Sequence, residues 1–316
     1  MGYTILFQPT AKQLFFLQGG VLGNPSPENC RLLVQELKRN LENREAEVIE
    51  LTRLTKDSEL YRSALLQFRF FSRGHFSPLH EHRWLELPGT FKEFFQGLSR
   101  KNRHELRRHE RKLSDDFAGK THIHCYRHEG EVNELAEEVE KISAKTYQRA
   151  LGVGFQLDTE ILESLRMTAR KGGLRACVLY VDETPCSFFI GKQYKDKFHG
   201  FFMGFDPKFG KYSPGLLVLL HSIEECFDPN MRATGIDLGW GDRQYKRIVC
   251  NHSRQDGPVY LYAPSWSGLW LNLLRSTTCL LDHSAKRLLA KSGFLQKLKK
   301  EWQENRRSSG LKRNSF

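Results

Sequence analysis

Two joints in the second half of the chain constrain its fold more than any other feature. Each carries an apolar, strand-like run through a turn rich in Gly, Ser or Pro and straight into a helix-like run. The first is Phe205-Asp206-Pro207-Lys208-Phe209-Gly210-Lys211-Tyr212-Ser213-Pro214-Gly215, which leads into the strongly apolar Leu216 to Ile223. The second is Gly235-Ile236-Asp237-Leu238-Gly239-Trp240-Gly241-Asp242-Arg243-Gln244-Tyr245-Lys246, which leads into a short helix near 242–249. Repeated strand-to-helix joints call for a mixed α/β fold. Such a joint also presents unpaired N–H groups at the positive end of a helix dipole, where a pyrophosphate can sit. Ordinary helix capping accounts for the same residues, and the first joint alone does not decide between the two.

The flanking pattern extends the reading. Thr90 caps a helix with apolar Phe91, Phe94, Phe95 and Leu98, which continues through a very basic stretch to Leu113. Thr121 to Tyr126 alternates as a strand, and helices follow at about 131–148 and 158–171. Three strands come next, 174–181, 186–195 and 197–205, the first two parted by the turn Asp182-Glu183-Thr184-Pro185. A loop is expected over 206–212, a helix over 213–226, and strands over 234–238 and 259–262. Ahead of all this lie a strand at 14–18, a helix capped by Ser26-Pro27, a strand at 47–51 and a helix at 56–66. From Pro264 onward the pattern is helical, with a basic tail.

Charge narrows the partners. Lys and Arg exceed Asp and Glu to give a net +12, which favours nucleotide-bearing cofactors, RNA, anionic sugars or a membrane surface without choosing among them. The seven cysteines are scattered, form no CxxC pair and sit mostly in apolar runs, so they read as reduced core residues of a cytoplasmic protein. Residues 257–274 carry Pro and Gly and read as no spanning helix. Leu6 in place of Ser or Thr argues against myristoylation, and no signal-peptide order opens the chain.

Three segments together carry a family resemblance: the basic helix Leu98 to Leu113, Tyr212-Ser213-Pro214-Gly215-Leu216-Leu217, and Asp237-Leu238-Gly239-Trp240-Gly241-Asp242 with Tyr245-Lys246. In this order they resemble the acetyltransferase domain of CelD-like (cellulose-synthesis-associated) proteins, related to GNAT enzymes and FemAB-like aminoacyl-transferases. The order strand, two helices, three strands, helix, strand, helix, strand agrees with the GNAT order. The resemblance implies a GNAT-like domain over 88–265, a truncated GNAT-like half over 1–87 that supports it, and C-terminal helices with a basic tail over 266–316. One departure stands out: Lys208-Phe209-Gly210-Lys211-Tyr212-Ser213 lacks the usual GNAT pattern of Gln or Arg, two residues, Gly, one residue, Gly or Ala.

The resemblance also implies chemistry. Acetyl-CoA or another acyl-CoA would lie between splayed strands 197–205 and 234–238, near Phe202 and Met203, with its pyrophosphate at Tyr212, Ser213 and Gly215. Tyr245 corresponds to a Tyr that protonates the departing thiolate, or it simply packs the short helix. Lys246 matches a FemAB-like Lys that stabilises charge on the reacting carbonyl, or it is a surface Lys. Asp237 either anchors the Gly turn, the preferred reading, or helps deprotonate the acceptor. Arg103, Arg107 and Arg111, with Arg100, share one face of the basic helix, suited to RNA or a phosphorylated saccharide, or merely solvated. His75, His80 and His82, with Glu81, read as a loop cluster, and His122 and His124 alternate on a strand; neither has metal-ligand spacing, so no metal is expected. Trp266, Trp270, Leu271, Leu273 and Leu274, followed by Lys and Arg at 286–300, fit a membrane-surface helix, but packing across the sheet is the preferred reading. The functions in view are acyl transfer from acyl-CoA to an amine or hydroxyl of a saccharide or precursor, aminoacyl transfer from aminoacyl-tRNA, and a non-catalytic partner in polysaccharide synthesis.

Overall fold

The computed structural model describes residues 9–17, 23–150, 152, 154–228, 231 and 233–291. In chain order its strands and helices begin β1 (Gln13–Phe16), α1 (Pro27–Glu42), β2 (Val48–Thr55), α2 (Glu59–Gln67), β3 (His80–Glu86), α3 (Phe91–Gly97), α4 (Arg100–Asp116) and β4 (Thr121–Tyr126). They continue α5 (Val132–Ser143), α6 (Tyr147–Ala150), α7 (Thr159–Arg170), β5 (Leu174–Val181), β6 (Thr184–Tyr194) and β7 (Lys197–Phe205). The last are α8 (Pro214–Glu225), β8 (Gly235–Trp240), α9 (Gln244–Val249), β9 (His252–Tyr262) and α10 (Trp266–Lys291). Two compact units result: Met1–Leu79 with Gln255–Phe316, and His80–Arg254. The expected boundary at Leu87-Pro88-Gly89 is a turn inside the second unit.

In the first unit β1 lies parallel to β2, and β2 pairs antiparallel with β9, Val48 opposite Tyr262 and Leu51 opposite Val259. Ser26 Oγ accepts the N–H of Asn29 at 3.2 Å to start α1, whose buried face is Cys30, Val34, Leu37 and Leu41. Leu32 on the same helix points outward. The core is completed by Ile49, Leu51, Ala64 and Leu261. Gly268 lets α10 start against β9's end: a Cβ there would lie 2.2 Å from the Ala263 oxygen.

In the second unit six strands run in the order β3-β8-β7-β6-β5-β4. The β7–β8 pair is parallel, joined through α8; the other pairs are antiparallel. One face buries Phe189, Phe198, Ile236 and Leu238 against Leu106, Val218 and Leu219 of α4 and α8. The opposite face buries Val178, Phe188 and Ile190 against α5 and α7, through Leu135, Val139 and Leu165.

Several expectations change here. The His80–His82 segment is strand β3, not a loop; a register irregularity between His82 and Trp84 breaks the alternation, and both His82 and Leu85 are buried. The expected loop 206–212 forms a 3-10 turn over Pro207–Tyr212, capped by the Asp206 side chain. The helix expected at 131–148 breaks after Ser143, where Thr146 Oγ1 turns back to the Ser143 carbonyl. Cys125 and Cys177, read as reduced thiols, face each other across β4 and β5 and are joined as a disulfide. The apolar runs around them do not reveal that they share one register position.

Candidate active site

β7 and β8 are held together by only three rungs: Lys197 with Gly235, Phe198 with Ile236, and His199 with Asp237. Beyond His199 they part. Gly200, the first residue past the last rung, has Phe189 and Leu238 where a side chain would sit; a Cβ would meet them at 2.9 and 3.2 Å. Gly239 and Gly241 carry φ of 68° and 103°, so the chain leaves β8 through conformations that favour glycine. The opening is a cleft of about 510 Å³ lined by Gly200 to Phe205, Leu238, Trp240 and Arg243 to Lys246, with Ser143, Thr146 and Gln148 contributing from the α5–α6 side.

Tyr245, Lys246, Phe202 and Met203 all line this cleft. Tyr245 is half-buried, packed against the α4–α8 core. Lys246 is buried, not a surface residue: its Nζ donates to the carbonyls of Gly239 at 3.1 Å and Trp240 at 2.6 Å, closing the turn after β8. Burial pushes its pKa below the ordinary lysine value, with the neighbouring Cys250 and Asp237 pulling weakly the other way.

Asp237 sits at the last rung. Its Oδ1 accepts the Gly239 N–H at 2.7 Å and lies 2.8 Å from His82 Nε2, while Oδ2 is 3.8 Å from His199 Nδ1. Burial raises the pKa of this carboxyl, but the His82 and Gly239 hydrogen bonds and the charges of His82 and His199 outweigh it and hold it low. The contacts are those of an anchor that also gathers two imidazoles. Neither His82 nor His199 was singled out for this role from sequence. His82 had been set aside with the supposed loop histidines, and His199 is a lone His in an aromatic strand; only the 155-residue closure onto Asp237 marks the first.

The expected pyrophosphate residues are arranged differently. Tyr212 is buried, with its hydroxyl donating to Asp116 at 2.5 Å. Ser213 adopts the left-handed conformation at φ 51°, and its N–H is taken by the Gly210 oxygen. Pro214 has no N–H, Leu216 and Leu217 both donate to the Ser213 oxygen, and Gly215 is buried with Phe205 beside it. None of Tyr212, Ser213 and Gly215 is among the cleft-lining residues.

Arg103, Arg107 and Arg111 lie together with Arg100, His104 and Arg108 along a groove of about 580 Å³ on α4. Their roles separate. The Arg103 guanidinium donates to the Gln96 and Leu98 carbonyls at the end of α3, Arg107 lies over the Phe95 ring at 5.2 Å, and Arg111 is exposed. His122 stacks on Tyr180, and His124 meets Tyr126 edge-on. Among the described residues, the group of ligand atoms close enough to hold a metal is Cys125, Cys177 and His221, but the two sulfurs are bonded to each other and offer no thiolate.

Residues 100–247 match the family model of an acetyltransferase (GNAT) domain. No curated protein matches in sequence. Among solved structures the chain is similar to FemX, with 10% identity, TM-score 0.52, and coverage of 79% of this chain and 80% of that one. It is also similar to the C-terminal domain of a putative lysylphosphatidylglycerol synthetase from Agrobacterium fabrum, at 12% identity, TM-score 0.51, covering 80% and 78%. A protein of unknown function from Bacteroides thetaiotaomicron gives 11% identity, TM-score 0.50, covering 73% and 75%. The fold is GNAT-like, and the stretch that matches the acetyltransferase (GNAT) domain model, residues 100–247, lies in the second unit.

Proposed function

We propose that this protein is an acyltransferase, of the CelD-like branch, that moves an acyl group from acyl-CoA to an amine or hydroxyl, with a saccharide or its precursor as acceptor. The observation that carries the reading is the parting of parallel β7 and β8 after three rungs, with Tyr245 and Lys246 on one wall of the cleft and Phe202 and Met203 on another. Acyl transfer needs a deprotonated nucleophile, positive charge near the developing oxyanion and an acid for the leaving group. We assign the acceptor's proton to His199, which stands at the last rung beside the Asp237 carboxylate, one residue before the cleft-lining Gly200. The acceptor then attacks the acyl carbonyl, the Lys246 ammonium steadies the oxygen that gains charge, and the Tyr245 hydroxyl protonates the thiolate as the C–S bond breaks.

One observation supports a second donor. The N–H groups that open α8 are largely spent on carbonyls of their own turn, while α4 presents an arginine-lined groove. Those features suit aminoacyl-tRNA, with the groove taking the RNA backbone. The test is a thermal shift with acetyl-CoA against aminoacyl-tRNA at matched ionic strength, followed by a thiol-release assay with amine and sugar acceptors. Stabilisation by acetyl-CoA and acceptor-dependent thiol release support the first reading. Stabilisation by charged tRNA alone supports the second, and a response to neither leaves a GNAT fold kept for partner binding in polysaccharide synthesis.

A further inference from the structure

The first unit carries an exposed apolar face that its own core does not use. α10 runs 26 residues, and one side of it packs inward: Gly268 against Ala263, and Asn272, whose Nδ2 donates to the Phe71 and Arg73 carbonyls at 2.8 and 3.0 Å. The other side repeats at helical spacing as Trp266, Trp270, Leu273 and Leu280, exposed by 89, 55, 57 and 48%. The Asn272 bond also tethers the 3-10 turn Phe70–Ser72 to the helix, and Phe70 and Phe71 of that turn are 62 and 68% exposed. An indole left almost wholly in water, in line with further apolar side chains, is costly for a surface whose only partner is water.

We propose that this face docks on an anionic lipid bilayer, with α10 lying in the membrane interface. Charge decides between a bilayer and a second copy of the chain. From His283 to Lys300 the sequence holds six Lys or Arg and no Asp or Glu. Two copies of a chain carrying this basic stretch repel each other, whereas an anionic headgroup layer attracts it. Trp and Phe suit the depth just below the headgroups, with one ring edge wet and the body in hydrocarbon. The helix lies on the bilayer and does not cross it: among the described residues no helix is long and apolar enough to span. The proposal stands apart from the acyl-transfer reading, since none of these residues belongs to the β7–β8 cleft.

The test is flotation of the full chain with large unilamellar vesicles of phosphatidylcholine alone, or with about one third phosphatidylglycerol, in parallel with light scattering for oligomeric state. Expected are at least about tenfold more protein on the anionic vesicles and loss of most of that binding at high salt. Trp266→Ser with Trp270→Ser should cut binding by about tenfold or more while leaving the far-UV circular dichroism melt unchanged, because both side chains are exposed. Equal binding of the folded double variant, or no binding to anionic vesicles, overturns the proposal. A dimer that the double variant abolishes, with no vesicle binding, also overturns it and assigns the face to a second copy.

Discussion

His82 and Asp237, 155 residues apart, meet at 2.8 Å between Nε2 and Oδ1, and this contact ties β3 to β8 at the point where β7 and β8 part. The same carboxylate oxygen takes the Gly239 N–H, so one side chain holds both a neighbouring strand and the turn that leads to Tyr245 and Lys246. Asp237→Asn is expected to lower turnover through His199 while the fold persists. The sign on stability follows from the lowered pKa. The ionised carboxylate favours the folded state above its ordinary value of 3.8, and that contribution is lost as pH falls through the still lower folded value. Denaturant melts of wild type and Asp237→Asn should therefore differ most at neutral pH and converge in acid; a constant difference down to strong acid would contradict this role.

Tyr245→Phe removes one hydroxyl from the cleft wall and keeps the ring that packs on the α4–α8 core. Turnover is expected to fall roughly 100-fold with donor affinity near wild type, the scale of a lost general acid. Stopped-flow thiol release with calorimetric donor binding separates the two. A proportional loss of affinity would make Tyr245 a binding contact.

Lys246→Met tests a buried ammonium that serves two carbonyls. Burial lowers its pKa, so the folded state carries a cost for the proton at neutral pH, and stability should rise as pH climbs through the folded pKa toward the ordinary 10.5. The Met variant loses that alkaline rise. It also removes the Lys246 donor from the Gly239 and Trp240 oxygens, a cost of about 1–3 kcal/mol. A lower melting temperature with a flatter alkaline limb is expected from calorimetry across pH, together with reduced turnover.

The arginines of α4 should divide in two. Arg103→Ala removes the cap on the end of α3 and is expected to destabilise the fold by about 1–2 kcal/mol. Arg111→Ala should leave the melting temperature within error and weaken binding of a polyanion such as RNA, with a shallower salt dependence. If both variants shift stability alike and neither moves RNA affinity in filter binding, the groove is only a solvated helix face.

Much of this arrangement was legible in the sequence because β5, most of β6 and the inward face of α8 are buried, and apolar runs of that density leave few alternatives. Tyr245 and Lys246 reached the cleft because the Gly239–Gly241 turn fixes where α9 starts. β3 was not legible: its His-Glu-His-Arg opening looks solvated, and the residue that buries its charge, Asp237, is distant in sequence. The phosphate reading of Ser213 and Gly215 needs free N–H groups at the helix start, and local spacing does not reveal that the Gly210 and Ser213 oxygens take those of Ser213, Leu216 and Leu217. The Cys125–Cys177 pairing likewise depends on strand register, not on composition.

The first unit is closed by a strand that the ribosome delivers late. β2 gains β1 early, but its other edge waits for β9, and Leu51 and Val259 are partners separated by about 200 residues of intervening chain. At a synthesis rate of ~5–20 residues per second that edge stays open for roughly 10–40 s on every nascent chain. During that interval Val48, Ile49 and Leu51 form a short apolar strand with unpaired backbone, the kind of surface that neighbouring nascent chains can add to. The chain's yield in a cell is therefore set in part by what shields this edge during translation, and slowing elongation between β2 and β9 should cost soluble protein even though every contact in the finished fold is unchanged.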